Sequence, residues 1–175
     1  MRTFLLLIII AGFLSACSQN SGTSGNNDQS EKRIRKQAIS IAETYATTNL
    51  TDAKKTKEEN GTRTIGNDQK LYVIDPKKIF IGFIDQDSLQ DAIISLFPYQ
   101  DQHEVTTEHL IILQTDGKFK LIRSLESDMR IINLKDGIIT AEVPEHSRNT
   151  PLFNCPSCWE VVRFRFINGE LVKTD

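Results

Sequence analysis

The spacing of apolar and polar residues changes along the chain and divides its first part into three segments. An apolar run at residues 4–14 comes first, and a stretch without any apolar residue, 18–30, follows shortly after. From residue 31 to about 49, apolar residues recur at intervals of three and four, which predicts an amphipathic helix. The apolar stripe of this helix consists of Ile34, Ala38, Ile41, Ala42 and Tyr45.

The rest of the chain has the patterns of loops and β-strands. Residues 51–69 are polar and are predicted to form a loop, or a partly ordered extension in which residues 54–59 lengthen the helix. Apolar, β-branched runs beyond this loop predict strands at 70–74, 78–84 and 91–97. Three Asp-Gly or Asn-Gly pairs then separate further apolar runs, which is typical of β-hairpins. The predicted hairpins join 108–114 to 118–124, 130–134 to 138–143, and 159–167 to 170–173.

The run from Trp159 to Ile167 indicates how these strands are buried. Apolar and basic residues alternate along it, as they do in a sheet with one buried face; Val162, Phe164 and Phe166 fall on one side, and Arg163 and Arg165 on the other. We expect the apolar stripe of the helix to cover that face. The predicted fold is α+β, with an N-terminal amphipathic helix packed on a mostly antiparallel β-meander in a single domain over residues 31–175.

The N-terminal apolar run ends in the motif Leu14-Ser15-Ala16-Cys17. The run has eleven residues, whereas a membrane-spanning helix needs about 20, so it has the length of a signal-peptide core. The motif resembles the lipobox of bacterial lipoproteins. This resemblance implies that residues 1–16 are a signal peptide that is removed, and that Cys17 becomes the acylated first residue. The alternative is an ordinary secretory signal with an incidental cysteine.

The lipobox resemblance also implies a location. Cys17 would carry a diacylglycerol and often a third acyl chain such as palmitate, and two or three chains hold stably in a bilayer. Ser18, rather than Asp, follows the cysteine, which resembles the signal for the outer rather than the inner membrane in Gram-negative lipoproteins. Residues 17–30 would then be the lipidated cysteine and a flexible Ser/Gly/Asn tether.

The outward face of the predicted helix is basic close to this anchor. Its basic residues are Lys32, Arg33, Arg35 and Lys36. Two interpretations are open: the side chains contact anionic lipid headgroups, or they form a solvated helix face.

The segment GFIDQDSLQDA lies between two predicted strands and places Asp85, Asp87 and Asp91 close together. It resembles the GDxNGDGxxDA segment of FG-GAP-type repeats, in which Asp and Asn oxygens bind calcium or cap a tight turn. Phe83 stands where the first Asp belongs, and Ser88 stands where the turn glycine belongs. The resemblance therefore implies at most a weak calcium site. The alternative is a polar turn in which the aspartates bond to backbone N–H groups.

The motif Cys155-Pro156-Ser157-Cys158 is the most reactive cluster in the sequence. It resembles the C-terminal element of small secreted bacterial proteins of unknown function, and that resemblance implies no activity. Three interpretations are open. The two cysteines form a structural disulfide in the oxidising envelope, they form a thiol-redox site, or they bind zinc together with His146.

Composition and motif content narrow the range of functions that we expect. The chain has 21 basic and 23 acidic residues and no strongly basic domain, so nucleic acid is not an expected partner. The sequence contains no HExxH, GxSxG or P-loop motif. We therefore expect a non-catalytic binding or structural module that contacts the membrane and an envelope protein, without a cofactor beyond the lipid at Cys17. A periplasmic thiol-redox accessory protein and a weak calcium or zinc binder are the alternatives.

Overall fold

The computed structural model describes residues 24–85, 87–100, 103–104, 106–144 and 158–174. Helix α1 (Ser24–Thr48) comes first and strands follow. The strands are β1 (Lys54–Glu59), β2 (Thr62–Gly66), β3 (Lys70–Gly82), β4 (Asp91–Gln100), β5 (His103–Glu104), β6 (Thr107–Thr115), β7 (Lys118–Ser127), β8 (Arg130–Lys135), β9 (Ile138–Pro144), β10 (Trp159–Ile167) and β11 (Glu170–Thr174). Among these described ranges, no helix has both the length and the apolarity needed to cross a membrane.

Helix α1 begins earlier than its apolar stripe indicates. The predicted start at Glu31 is wrong, because the helix begins at Ser24 and takes up part of the predicted tether. Two ion pairs with i,i+4 spacing support these early turns. Lys32 Nζ lies 2.7 Å from Asp28 Oδ2, and Arg35 Nη2 lies 2.7 Å from Glu31 Oε1.

The larger sheet is an antiparallel meander in the order β1-β2-β3-β4-β6-β7, with β5 paired to β4. The stripe of α1 packs on one of its faces, as the buried side chains of Ile34, Ala38 and Ala42 show. The predicted fold class, a helix on a mostly antiparallel sheet, is confirmed.

A second, four-stranded sheet in the order β11-β10-β9-β8 covers the opposite face of the larger sheet. Neighbouring residues of β4 therefore face different layers: Ile94 packs in the core beneath α1, and Ile93 packs in the core between the sheets. The alternation predicted in β10 is confirmed, but the expected partner of its buried face is wrong. Phe166 packs between the two sheets, because α1 occupies the other face of the larger sheet.

The predicted loop at residues 51–69 is also wrong, because β1 and β2 form a hairpin there. Its turn is Asn60-Gly61, in which both residues have positive φ (52° and 80°) as a tight hairpin turn requires. β1 is a charged edge strand with the sequence KKTKEE, and such strands lack the apolar alternation on which the prediction depended. The three predicted hairpins are confirmed.

Candidate binding pocket

A pocket of about 200 Å³ opens where the turn after β3 meets the second sheet. Asp85 and Asp87 line it from the larger sheet, and Asp136 and Arg165 line it from the second sheet. Phe83, a residue that is 42% exposed, also lines the pocket. Three aspartates and one arginine thus line the pocket together with the exposed Phe83.

A close contact between the two sheets sets the position of these walls. A Cβ atom at Gly82 would lie 2.9 Å from Leu134 Cγ and 3.3 Å from the backbone oxygen of Leu134. Only glycine allows the end of β3 to approach β8 this closely. The turn after Gly82 contains Asp85 and Asp87, and we call it the acidic turn. It is therefore held against the β8–β9 hairpin, whose turn contains Asp136.

Asp91 positions the acidic turn of the pocket through two hydrogen bonds. Its side chain is fully buried. Oδ2 accepts a hydrogen bond of 2.9 Å from the backbone N–H of Ile84, and Oδ1 accepts one of 2.9 Å from the N–H of Gln114. Burial raises the pKa of the Asp91 carboxyl, and the two N–H donors act in the opposite direction. Asp91 is therefore a structural tie between the acidic turn and β6.

The structure brings the three predicted aspartates together: carboxylate oxygens of Asp85, Asp87 and Asp91 lie within 4.8 Å of one another. Asp85 Oδ1 accepts the N–H of Asp87 at 3.4 Å, and Asp87 Oδ1 accepts the N–H of Leu89 at 2.7 Å. These bonds are those of an Asp-stabilised polar turn. Burial, and then the neighbouring Asp87, raise the pKa of Asp85. The calcium site remains a prediction.

The other predicted site residues lie largely outside the described part of the chain. Cys17, Cys155 and His146 belong to the ranges that are not described, so the lipid anchor, the disulfide and the zinc site remain predictions. Cys158 is fully buried, and β10 begins at the next residue. A strand therefore follows Cys158, and not the helix whose N-terminus lowers the thiol pKa in thioredoxin-like redox sites.

No family model, curated protein or solved structure matches this chain. Carboxylates pair with ammonium and guanidinium groups, and the face of an aromatic ring attracts cations. With three carboxylates, one arginine and Phe83, the pocket suits a cationic group.

A buried histidine joins the larger sheet to the connection between β7 and β8, away from this pocket. His109 on β6 is 1% exposed. Its Nε2 lies 3.1 Å from the carbonyl oxygen of Met129, and its Nδ1 lies 2.9 Å from Ser95 Oγ. A neutral ring satisfies both contacts when Nε2–H donates to Met129 and the Ser95 hydroxyl donates to Nδ1. Burial lowers the pKa of His109 to about 4.

A second buried polar cluster lies beneath the C-terminal half of α1, and no sequence pattern predicts it. Glu108 is 2% exposed. Its Oε1 accepts hydrogen bonds from the Tyr72 hydroxyl at 3.0 Å and from Lys70 Nζ at 3.3 Å. Its Oε2 has no hydrogen-bond partner among the residues that the structure describes. The ring of Tyr45 on α1 lies edge-on to Tyr72, with 6.3 Å between the ring centroids. Burial, together with Glu108, raises the pKa of Tyr72. The cluster joins the helix to β3 and β6.

Proposed function

We propose that this chain is a lipid-anchored protein of the bacterial cell envelope and that its α+β domain is a non-catalytic binding module. The motif Leu14-Ser15-Ala16-Cys17, at the end of a short apolar run, supports the anchor. The acidic pocket around Phe83 supports the binding role, and it is the observation that carries this proposal.

The ligand of the pocket is the cationic side chain of an envelope protein partner. Three carboxylates against one guanidinium leave the lining negative at neutral pH. Asp85 and Asp87 each use one oxygen in a turn hydrogen bond, so their second oxygens can receive an ammonium or guanidinium group. Calcium is a weaker candidate because it takes six to eight oxygens, and both oxygens of Asp91 already accept backbone N–H groups.

The pocket can be tested with a blocked lysine amide as the probe. Its addition should shift the backbone NMR signals of Phe83, Asp87 and Asp136 in the chain without its leader. Asp136→Asn should weaken binding about twofold to fivefold, since a solvent-exposed ion pair contributes about 0.2–1 kcal/mol.

Asp116 provides a matched control for this variant. Asp116-Gly117 and Asp136-Gly137 are both Asp-Gly hairpin turns with nearly equal φ angles, but only Asp136 lines the pocket. Asp116→Asn should therefore leave binding unchanged. Equal losses in both variants, or no shifts at the pocket, would refute the cationic ligand. Shifts produced by calcium and not by the lysine probe would favour the metal alternative.

The anchor is tested by the mass of the mature N-terminus. The full chain expressed in a Gram-negative host should yield an N-terminal peptide that begins at Cys17 and carries a diacylglycerol. Cys17→Ala should abolish this modification, because the acylated thiol is gone, and Ser18→Ala should retain it. Cleavage at another position, or an unmodified Cys17 in the parent protein, would contradict the proposal.

A further inference from the structure

Basic side chains cluster where the first half of α1 lies against β3. Arg35 connects the two elements: its Nη1 donates to the carbonyl oxygens of Pro76 at 3.2 Å and Ile79 at 3.1 Å. This clamp holds the irregular part of β3 beside the helix. We call the resulting surface the basic end; it consists of Lys32, Arg33, Arg35, Lys36, Lys77 and Lys78.

Three acidic side chains near the basic end, those of Asp28, Glu31 and Asp75, already have an ion-pair or hydrogen-bond partner. Asp28 pairs with Lys32, and Glu31 pairs with Arg35. Asp75 accepts the backbone N–H of Lys77 at 2.9 Å.

Four cations of the basic end are left without a carboxylate partner among the described residues. They are Arg33, Lys36, Lys77 and Lys78, and all four are exposed. The whole chain carries a formal charge of -2, so the basic end is a positive region on an acidic protein, and an anionic surface is its electrostatic complement.

The position of the basic end relative to the anchor favours a membrane as that surface, and this step rests on the proposed acylation of Cys17. The seven residues 17–23 precede α1. An extended chain spans at most about 3.5 Å per residue, so the start of α1 is held within roughly 25 Å of the lipid-bearing cysteine. A tether of this reach keeps the basic end close to the headgroups of the same membrane.

We propose that the basic end docks on anionic phospholipid headgroups and so orients the anchored domain with the start of α1 towards the bilayer. Lysine and arginine side chains gain binding energy close to an anionic membrane surface, and the attraction decays within a Debye length of about 8 Å. Because the attraction acts over so short a distance, Lys77 and Lys78 contribute to membrane binding only if they lie beside the basic residues of α1. The Arg35 clamp places them there.

The test uses the mature chain with Cys17→Ser, which cannot be acylated, so that binding reports on the basic end alone. Its partitioning onto vesicles of mixed phosphatidylglycerol and phosphatidylcholine is measured by co-sedimentation, with phosphatidylcholine vesicles as reference. Binding should require phosphatidylglycerol and should fall as salt rises. The double variant K77Q/K78Q should partition about fivefold less for each charge removed, and so about twenty-fivefold less in total.

Lys118 and Lys135 supply the matched control, since both are exposed and belong to other hairpins. K118Q/K135Q removes the same charge and should bind like the parent. Equal binding to both kinds of vesicle, an unchanged K77Q/K78Q, or equal losses in the two double variants would each overturn docking by the basic end. Unchanged far-UV circular dichroism excludes misfolding as the cause of a loss. Because the mass of the mature N-terminus tests acylation separately, failure of docking and failure of the anchor are distinguishable.

Discussion

Replacing Asp91 with alanine is expected to lower the free energy of unfolding by about 3–5 kcal/mol, because a hydrogen bond to a charged group contributes roughly 1.5–3 kcal/mol. The fully buried carboxylate accepts the backbone N–H groups of Ile84 and Gln114, each at 2.9 Å. Alanine leaves both donors without their acceptor in the interior. Urea denaturation, followed by circular dichroism at neutral pH, measures the change.

Asp68 is the matched control for this substitution. It is an exposed aspartate in the turn between β2 and β3, and its replacement by alanine should change stability by less than about 0.5 kcal/mol. A loss of less than about 1 kcal/mol in Asp91→Ala would show that other acceptors, such as water, satisfy the two N–H groups. The role of Asp91 as the tie beneath the pocket would then be wrong.

Asp91→Ala should also impair the pocket, because the tie positions the acidic turn. Loss of the Ile84 hydrogen bond releases the segment that carries Phe83 and Asp85. The NMR shifts caused by the lysine probe should then weaken, even under conditions in which the variant remains folded. Stability and binding are thus linked through one buried carboxylate.

The elements that the sequence predicted correctly depend on local chemistry. An Asp-Gly or Asn-Gly pair adopts positive φ at both positions, so each such pair between apolar runs closed a hairpin. The pair Asn60-Gly61 carries the same signal. The sequence does not predict this hairpin, because β1 is a polar edge strand in which no apolar alternation accompanies the turn.

The presence of a second sheet depends on how the layers of the domain stack, and no single segment of the sequence shows it. β4 and β6 contain continuous apolar runs, which are typical of strands buried on both faces. One helix can cover only one of those faces. The continuous runs therefore already require a second layer besides α1, which the predicted single meander lacks.

For a related reason, the sequence predicts only the aspartates on one side of the pocket. Asp85, Asp87 and Asp91 are close in sequence, and they were predicted to be close in space. Asp136 and Arg165 come from a hairpin turn and a strand of the second sheet. Their approach to the acidic turn depends on how the sheets stack, which the Gly82–Leu134 contact sets. No residue pattern near Asp136 distinguishes it from Asp116.

His109 should make the stability of the domain fall as the pH falls. An unfolded chain protonates this histidine below about pH 6.5, whereas burial lowers its pKa in the folded chain to about 4. Between these two values the unfolded state binds more protons, so stability is lost as the pH decreases from about 6.5 to about 4. The total loss is about 3 kcal/mol, since each pKa unit corresponds to about 1.36 kcal/mol.

Urea denaturation over this pH range, in the parent and in His109→Gln, isolates the contribution of the histidine. The glutamine amide can still donate to the Met129 carbonyl, but it does not titrate. Asp85 and Asp91, whose pKa values are raised, titrate in both proteins and cancel in the difference between the two curves. The parent should lose stability relative to the variant as the pH falls from neutral to about 4. Parallel curves would mean that His109 is protonated within the fold near its ordinary pKa, with Ser95 Oγ accepting from Nδ1–H. The contact between His109 and Met129 would then tolerate a charge.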